Sequence, residues 1–519
     1  MKNNESKGLL QSLFFSNDGE DSSMSYVIGI DLGTGSVKSL LVDQKGMICG
    51  EASRTYPLQH EQPGYSEQHP EDWVTQTLGT LRELLQTSGV QPEQVEGISF
   101  SGQMHGLVLL DGQGQVLRPA ILWNDTRTTP QCRAIEAKLG SRLLDITKNA
   151  ALEGFTLPKL LWVQEHEPEL FAKAAVFLLP KDYLRYRLTG KLHMDITDAA
   201  GTLLLDVIGK RWSTDICEAF GLDPKLCPPL AEAMEHVGGL LPEIAGQTGL
   251  AASTKVFAGG ADNACGAVGA GIVGKGATLC SIGTSGVILA YEEREQDFAG
   301  ALHFFNHAQP EGFYAMGVTL AAGYSLDWFK KTIAPDESYD SFLSLVAEVP
   351  AGAGGLLFTP YLVGERTPHA DAVIRGSFVG LDGSHRREHL TRAVMEGITF
   401  SLNESLERFR AAGMAVETIV SIGGGAKNDV WLQMQADIFG APVVKLKNEQ
   451  GPALGAAMLA AVGCGWFASL SECAASFVAY DRRFEPIPAN VETYRGLFEI
   501  YKSVYAHTRE MNERLRAYR

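Results

Sequence analysis

The chain has 519 residues, 45% of them hydrophobic, and its 61 acidic against 44 basic side chains give a net charge of −17. That length exceeds one hydrophobic core and predicts at least two domains, while the acidic balance excludes a nucleic-acid footprint and suits a small polar ligand. Its eight cysteines form neither a C-x-x-C pair nor a metal-ligand cluster with histidine, so free thiols in a reducing cytoplasm are expected.

Residues 1–23 carry only the short, broken apolar patch LLQSLFF, too little for a signal-peptide core, and read as a poorly ordered leader with Met24 as an alternative start. The stretch VIGIDLGTGSVKSLLVD (27–43) is two strand-like runs joined by a glycine tip, a hairpin. At that tip Gly33 and Gly35 are expected to adopt backbone angles that turn N–H groups toward one concavity, a nest for phosphate oxygens. Thr34 and Ser36 add hydroxyls, Lys38 adds a positive charge, and Asp31 offers the oxygen that Mg²⁺ or its water would take.

A helix is predicted over 70–89 and a strand over 95–101. The strand breaks into GQMHG, which puts Gln103, Met104 and His105 where a pocket can form; the alternative for the histidine is a structural role. AILWNDTRT (120–128) joins an apolar strand to polar residues, with Trp123 able to wall a pocket and Asn124, Asp125 and Arg127 able to bind hydroxyls or each other. TLPKLLWVQEHEPELFAKA (156–174) is helical in pattern.

VFAGGADNACGAVG (256–269) places Asp262 after a buried strand and before a helix of small residues, where it serves as a helix-terminal carboxylate, as a base for a substrate hydroxyl, or as both. Gly269, Gly271 and Gly274 satisfy a dinucleotide fingerprint, and Gly269 to Lys275 nearly a Walker A loop, but Gly276 stands where Mg²⁺ needs Ser or Thr; they read as a packed helix and its exit. TLCSIGTSGVILA (278–290) echoes the opening hairpin, which suggests two domains on one plan with a boundary near residue 270. Helical patterns follow at 318–333, 387–413 and 428–440. The last lies after the strand and glycine turn TIVSIGGG, where Gly424, Gly425, Ala426 and Asn428 suit an adenosine. The uncharged run 451–470 is rich in Ala and Gly and reads as a buried helix, not a membrane span.

As an ordered set, IGIDLGTGSVK, GQMHG, PAILWNDTRT, GFTLPKLLWVQEHEPE, LLPKDYLRYRLTG, DAAGTLLLDV, GGADNACGAVG, SIGTSGV, PYLVGERTPH, IGGGAKNDVW and GPALGAA resemble the FGGY carbohydrate kinase family. QMHG, WNDTRT and PKDYLR are similar to its xylulose-phosphorylating branch and unlike its glycerol-phosphorylating one. The resemblance implies an α/β, two-domain actin-like ATPase (ribonuclease H-like) fold, with residues 24–270 and 271–519 as the domains and the active site in the cleft between them.

It further implies Asp262 as catalytic base, Met104 and His105 as a sugar-contacting pair with Asn263 reaching a hydroxyl, and Gln103 and Trp123 nearby. Asp31 serves Mg²⁺; Thr34, Gly35, Ser36 and Lys38 form the first phosphate hairpin, Gly283 and Thr284 the second, and Gly424, Gly425 and Asn428 the adenosine turn. The implied reaction is ATP- and Mg²⁺-dependent phosphorylation of D-xylulose to D-xylulose 5-phosphate in the cytoplasm, without membrane or nucleic acid and with a possible homodimer. Ala261, where a glycine is the family's usual residue, is expected to bring a methyl group close to sugar or phosphate. Rival readings are a sister kinase for ribulose, gluconate or glycerol, an actin-like ATPase switch, and a dehydrogenase using the Gly269 turn.

Overall fold

In the opening stretch every second residue faces the same side, and both sides are buried. The result is β1 (Tyr26–Leu32) paired antiparallel with β2 (Ser36–Asp43), followed by β3 (Ile48–Thr55). The computed structural model describes residues 24–519, so the expected leader 1–23 lies outside the described residues. Helix α1 (Pro70–Ser88) opens on proline, ends on Gly89 in the left-handed region (φ 72°), and buries Trp73, Leu81 and Leu84 against the sheet. It returns the chain to β4 (Val95–Gly102), parallel to β1.

After an excursion containing α2 (Thr156–His166) and α3 (Pro180–Thr189), strands β5 (His236–Gly239) and β6 (Lys255–Phe257) complete the order β5-β6-β4-β1-β2-β3. A two-residue strand, Gly260–Ala261, continues beside the end of β4.

Helix α4 (Asp262–Gly269) leads to the second sheet. Its elements are β7 (Gly276–Ile282), β8 (Gly286–Glu292), β9 (His303–Asn306), β10 (Phe313–Thr319), α5 (Gly323–Ile333), α6 (Arg387–Ala411), β11 (Val416–Gly423), α7 (Asp429–Phe439), β12 (Val443–Leu446), α8 (Pro452–Gly463), β13 (Tyr480–Phe484) and the outer helix α9 (Pro488–Leu515). The strand order is β9-β10-β8-β7-β11-β12-β13.

The central five strands repeat one plan in both sheets. An antiparallel hairpin, β1-β2 or β7-β8, is flanked by an antiparallel third strand on one side and two parallel strands on the other. This is the duplicated α/β architecture of actin-like ATPases, and it explains the echo between the two glycine hairpins. Both hairpin tips, and the ends of β4 and β11, lie at the carboxyl ends of parallel strands, where open α/β sheets build ligand crevices.

The run 451–470 supplies α8, buried along most of its length and packed on α4, β1 and β4. A Cβ at Gly455 would lie 1.8 Å from the Cys265 carbonyl oxygen, so the α4–α8 crossing needs glycine there. No described helix is long and apolar enough to cross a membrane.

Two predicted helices are shorter than their patterns. Residues 318–319 pair with β8, and α5 begins only at Gly323. The helix predicted over 156–174 stops at His166, one turn resumes at Pro168, and Ala174 already belongs to a strand; proline at 168 has no N–H with which to continue the first helix. Gly269, Gly271 and Gly274 end and exit α4, as expected of a packed helix rather than a nucleotide loop.

Candidate active site

Two carboxylates face each other where the first sheet ends. Asp31, near the end of β1, accepts a hydrogen bond from Ser101 Oγ at 2.9 Å and stands in register with Lys38 on β2. Burial raises its pKa against the opposing effects of Ser101 and Lys38. Asp262 is the first residue of α4, and its Oδ1 accepts from Asn263 N (2.7 Å) and Asn263 Nδ2 (3.0 Å). Burial, and then the negative charge of Asp31, push Asp262 up to about 7.

Asp262 opens into a cavity of about 220 Å³ between the two sheets, lined from the first half by Met104, His105, Trp123, Phe155 and Asn263. The second half contributes Ser285, His303, Phe305, Met316 and Arg366. His105 sits at φ 69°, the left-handed region, and donates Nδ1–H to the Gly201 carbonyl at 2.6 Å. Since a carbonyl can only accept, the other ring nitrogen, Nε2, is left as an acceptor. Burial, with help from the charge of Lys159, holds the ring near a pKa of 3, so it is neutral at physiological pH. Asn263 Nδ2 also reaches Met104 Sδ at 3.6 Å, joining the QMHG turn to the Asp262 corner.

A second cavity, of about 480 Å³, is bounded by Gly283, Thr284, Tyr324, Asp327, Tyr339, Gly424, Gly425 and Asn428. The second hairpin therefore borders both cavities: Gly283 and Thr284 face this one, and Ser285 faces the Asp262 cavity. Its tip is held by the start of α5, where Gly323 N donates to Gly283 O at 2.8 Å and Tyr324 N to Thr284 O at 3.1 Å. Asn428 caps α7 through Oδ1, which accepts from Trp431 N at 3.0 Å.

The chain matches the models of the FGGY family of carbohydrate kinases over residues 26–269 (N-terminal domain) and 278–464 (C-terminal domain). It belongs to that family. It is 64% identical to the xylulose kinase of Bacillus subtilis over 96% of this chain and 100% of that protein. Its structure is similar to that of a xylulose kinase from Rhodospirillum rubrum (TM-score 0.89, 30% identity, 94% and 100% of the two chains). It is equally similar in shape to a gluconate kinase from Lactobacillus acidophilus (TM-score 0.89, 28% identity, 94% and 98%). The protein is thus a sugar kinase, a transferase that uses ATP and a sugar.

Within this FGGY kinase several residues stand elsewhere than the sequence suggested. Gln103 is buried outside the Asp262 cavity: it bonds Gln68, which in turn holds the Thr34 carbonyl at 2.7 Å. The strand ends at Gly102, and the turn that follows sends Met104 and His105 into the cavity while Gln103 packs against Gln68. Gly33 and Gly35 do not use the left-handed region; Gly33 N–H closes the turn on Ser36 O at 3.0 Å, which leaves the later N–H groups of the tip for a ligand.

Lys38 is engaged with Gln450 Oε1 (2.7 Å) and Glu51 (3.3 Å). Asp125 and Arg127 bind each other, and Arg127 stacks on Tyr65, so WNDTRT is largely a structural clasp. The Ala261 methyl is fully buried and does not reach the cavity, because Ala261 pairs with Gly102 as a strand residue.

Sequence reasoning missed the wall supplied by β9, β10 and the GERTPH loop. Arg366 is the chemically important omission: its guanidinium lines the cavity and forms no hydrogen bond or ion pair among the described residues. Its appearance in PYLVGERTPH, a quoted motif left without a role, was the available signal. For a divalent cation the donor chemistry fits, since Asp31 keeps Oδ2 free of hydrogen bonds beside a second carboxylate, and hard oxygen ligands of this kind suit Mg²⁺.

Proposed function

We propose that this kinase transfers the γ-phosphoryl group of ATP to O5 of D-xylulose, giving D-xylulose 5-phosphate and ADP. The observation that carries this reading is the cavity in which Asp262, its pKa near 7, meets Met104, neutral His105 and Asn263 beside the tip of the second hairpin. The identity to xylulose kinases across nearly the whole chain selects the sugar.

The base is Asp262. It accepts the O5 proton as the O5–P bond forms and the bond to the bridging oxygen of ADP breaks, with that oxygen keeping the electron pair. A pKa near the working pH matches a group that must first hold and then release a proton. Asn263 fixes the carboxylate by occupying Oδ1 twice, which leaves Oδ2 for the hydroxyl. His105 Nε2 accepts from a sugar hydroxyl, and Arg366 donates to the sugar from the opposite wall.

Gly424, Gly425 and Asn428 bind the adenosine; Thr34, Gly35, Ser36, Gly283 and Thr284 line the phosphate path. Lys38 acts on Asp31 through its charge. Asp31 would hold Mg²⁺, which would supply charge neutralisation at the phosphates. The halves 24–270 and 271–519 work as two domains that close on the α4–α8 joint and exclude water, which suppresses ATP hydrolysis. The enzyme works in the cytoplasm, needs neither membrane nor nucleic acid, and is compatible with a homodimer.

The test is ADP release from Mg-ATP with D-xylulose, D-ribulose, L-ribulose, gluconate and glycerol in parallel. Stimulation by D-xylulose well above the others is expected. Preference for another acceptor would replace the substrate and leave the phosphoryl chemistry, while no stimulation by any sugar would overturn the reading.

A further inference from the structure

Gly201, at the end of the MDITDAAG segment, holds His105, but the rest of that segment and PKDYLR take no part in the site described above, and the two meet beside it. Lys181 Nζ lies 2.7 Å from Asp182 Oδ1, 2.5 Å from Asp195 Oδ1 and 3.1 Å from Asp198 Oδ2, all with fully buried side chains. Arg185 Nη1 adds a contact to Asp182 Oδ1 at 2.8 Å. The three carboxylates have the spacing of a metal triad, but the Lys181 ammonium already sits among them. We infer that this buried ionic cluster, acting through Thr197 and Arg185, is the positioning device for Asp262.

Two bonds carry the inference. Asp195 Oδ2 accepts from Thr197 Oγ1 at 2.5 Å, and Thr197 Oγ1 in turn accepts from Ala261 N at 2.8 Å. A backbone N–H can only donate, so Ala261 N gives its hydrogen to a lone pair of Thr197 Oγ1, and the hydroxyl hydrogen goes to Asp195 Oδ2, which also accepts from Thr197 N at 2.8 Å. At the other end of the same segment, Arg185 Nη1 donates to Ala258 O at 2.5 Å.

The four residues that lead into Asp262 are therefore strapped at both ends to the cluster. Asp262 follows Ala261 directly, so any slack in the Thr197 strap moves the carboxylate.

Stability does not account for this arrangement. Burying five ionisable groups costs several kcal/mol per ion, and a well-packed apolar cluster of the same volume holds helices together about as well or better. What apolar side chains cannot provide is a fixed acceptor for Ala261 N–H and a fixed donor for Ala258 O. Misplacing a reacting group by about 1 Å costs on the order of 100-fold in rate.

The inference rests on the kinase reading but not on the choice of sugar, so the assay uses whichever acceptor stimulates the unmodified enzyme most. Thr197→Val keeps the shape and removes the hydroxyl; Thr197→Ser keeps the hydroxyl. Expected for Thr197→Val is a kcat lowered about 10- to 100-fold per ATP-binding site, with KM for sugar and ATP within about twofold and Thr197→Ser near the parent. Asp195→Asn, which frees the hydroxyl to rotate, should show the same split and serves should Thr197→Val not fold. An unchanged kcat, a parallel loss in both KM values, or a Thr197→Ser variant as impaired as Thr197→Val would overturn the inference.

Discussion

Trp123 Nε1 donates to Thr34 Oγ1 at 2.9 Å, so the rim of the Asp262 cavity is tied to the tip of the first phosphate hairpin. The two come from distant strands, and the bond makes the position of one depend on the other. Trp123→Phe keeps an aromatic wall and removes the donor; Thr34→Val removes the acceptor. In a double-mutant cycle on kcat/KM the paired change should cost about as much as either single change, with a coupling of about 1 kcal/mol, near fivefold. Additive losses would mean that the bond does not link the two sites.

Asp262→Asn should fold and bind sugar but lose on the order of 100-fold or more in kcat, since an amide cannot accept the proton. The pH dependence follows from the raised pKa. Below about 7 the carboxyl in the free enzyme carries a proton and is no base, so kcat/KM should fall about tenfold per unit on the acid side and level off above it.

Part of that elevation comes from Asp31. In metal-free protein, Asp31→Asn should therefore lower the Asp262 midpoint, read from its carboxyl carbon resonance, and bound Mg²⁺ should lower it in the parent as well. A midpoint indifferent to both changes would show that the two carboxylates do not sense each other.

His105 depends on a close approach that only glycine permits. A Cβ at Gly201 would lie 2.8 Å from His105 Nδ1 and 2.9 Å from Met104 Cε, so Gly201→Ala must push the ring out of place. Both Gly201→Ala and His105→Ala should raise the sugar KM about 10-fold, the scale of one lost buried hydrogen bond, and leave the ATP KM within about twofold. Because His105 stays neutral down to a pKa near 3, sugar affinity should be flat between pH 6 and 8 as far as this residue is concerned. Unchanged sugar affinity in His105→Ala would remove it from the pocket.

The two hairpins, the helix at Asp262 and the glycine turn at 424 were legible because each is a local pattern, an apolar run broken by residues with a specific backbone or chemical use. Their convergence was readable through the repeated GTGSV and GTSGV and through the family resemblance. What escaped was non-local. Nothing in the runs HFFN and FYAMGVT on its own announces that His303, Phe305 and Met316 turn one face of β9 and β10 into a cavity wall, because such apolar runs serve any buried strand. Gln103 was misjudged for a related reason: within QMHG, residue type marks a polar site, but the turn after Gly102, with His105 in the left-handed region, decides which side chains enter it.

Arg366 gives the sharpest test of that missing wall. The loop that carries it is seated by Glu365, whose Oε1 accepts from Arg366 N (2.7 Å) and Leu320 N (3.0 Å), so the guanidinium is presented to the cavity by a buried carboxyl. Burial lowers its pKa, which means that its charge is poorly solvated, and a substrate oxygen that accepts from it is repaid more than water-exposed contact would be. Arg366→Leu removes the donors and keeps much of the bulk. The expected outcome is a sugar KM raised about 10- to 100-fold, the loss of one or two hydrogen bonds to a charged group, with an ATP KM within about twofold. Arg366→Lys should recover only part, since a single ammonium cannot reproduce a planar fork. If Arg366→Leu instead leaves the sugar KM unchanged and lowers only kcat, the guanidinium acts on the transferring phosphoryl group and not on the ground-state sugar.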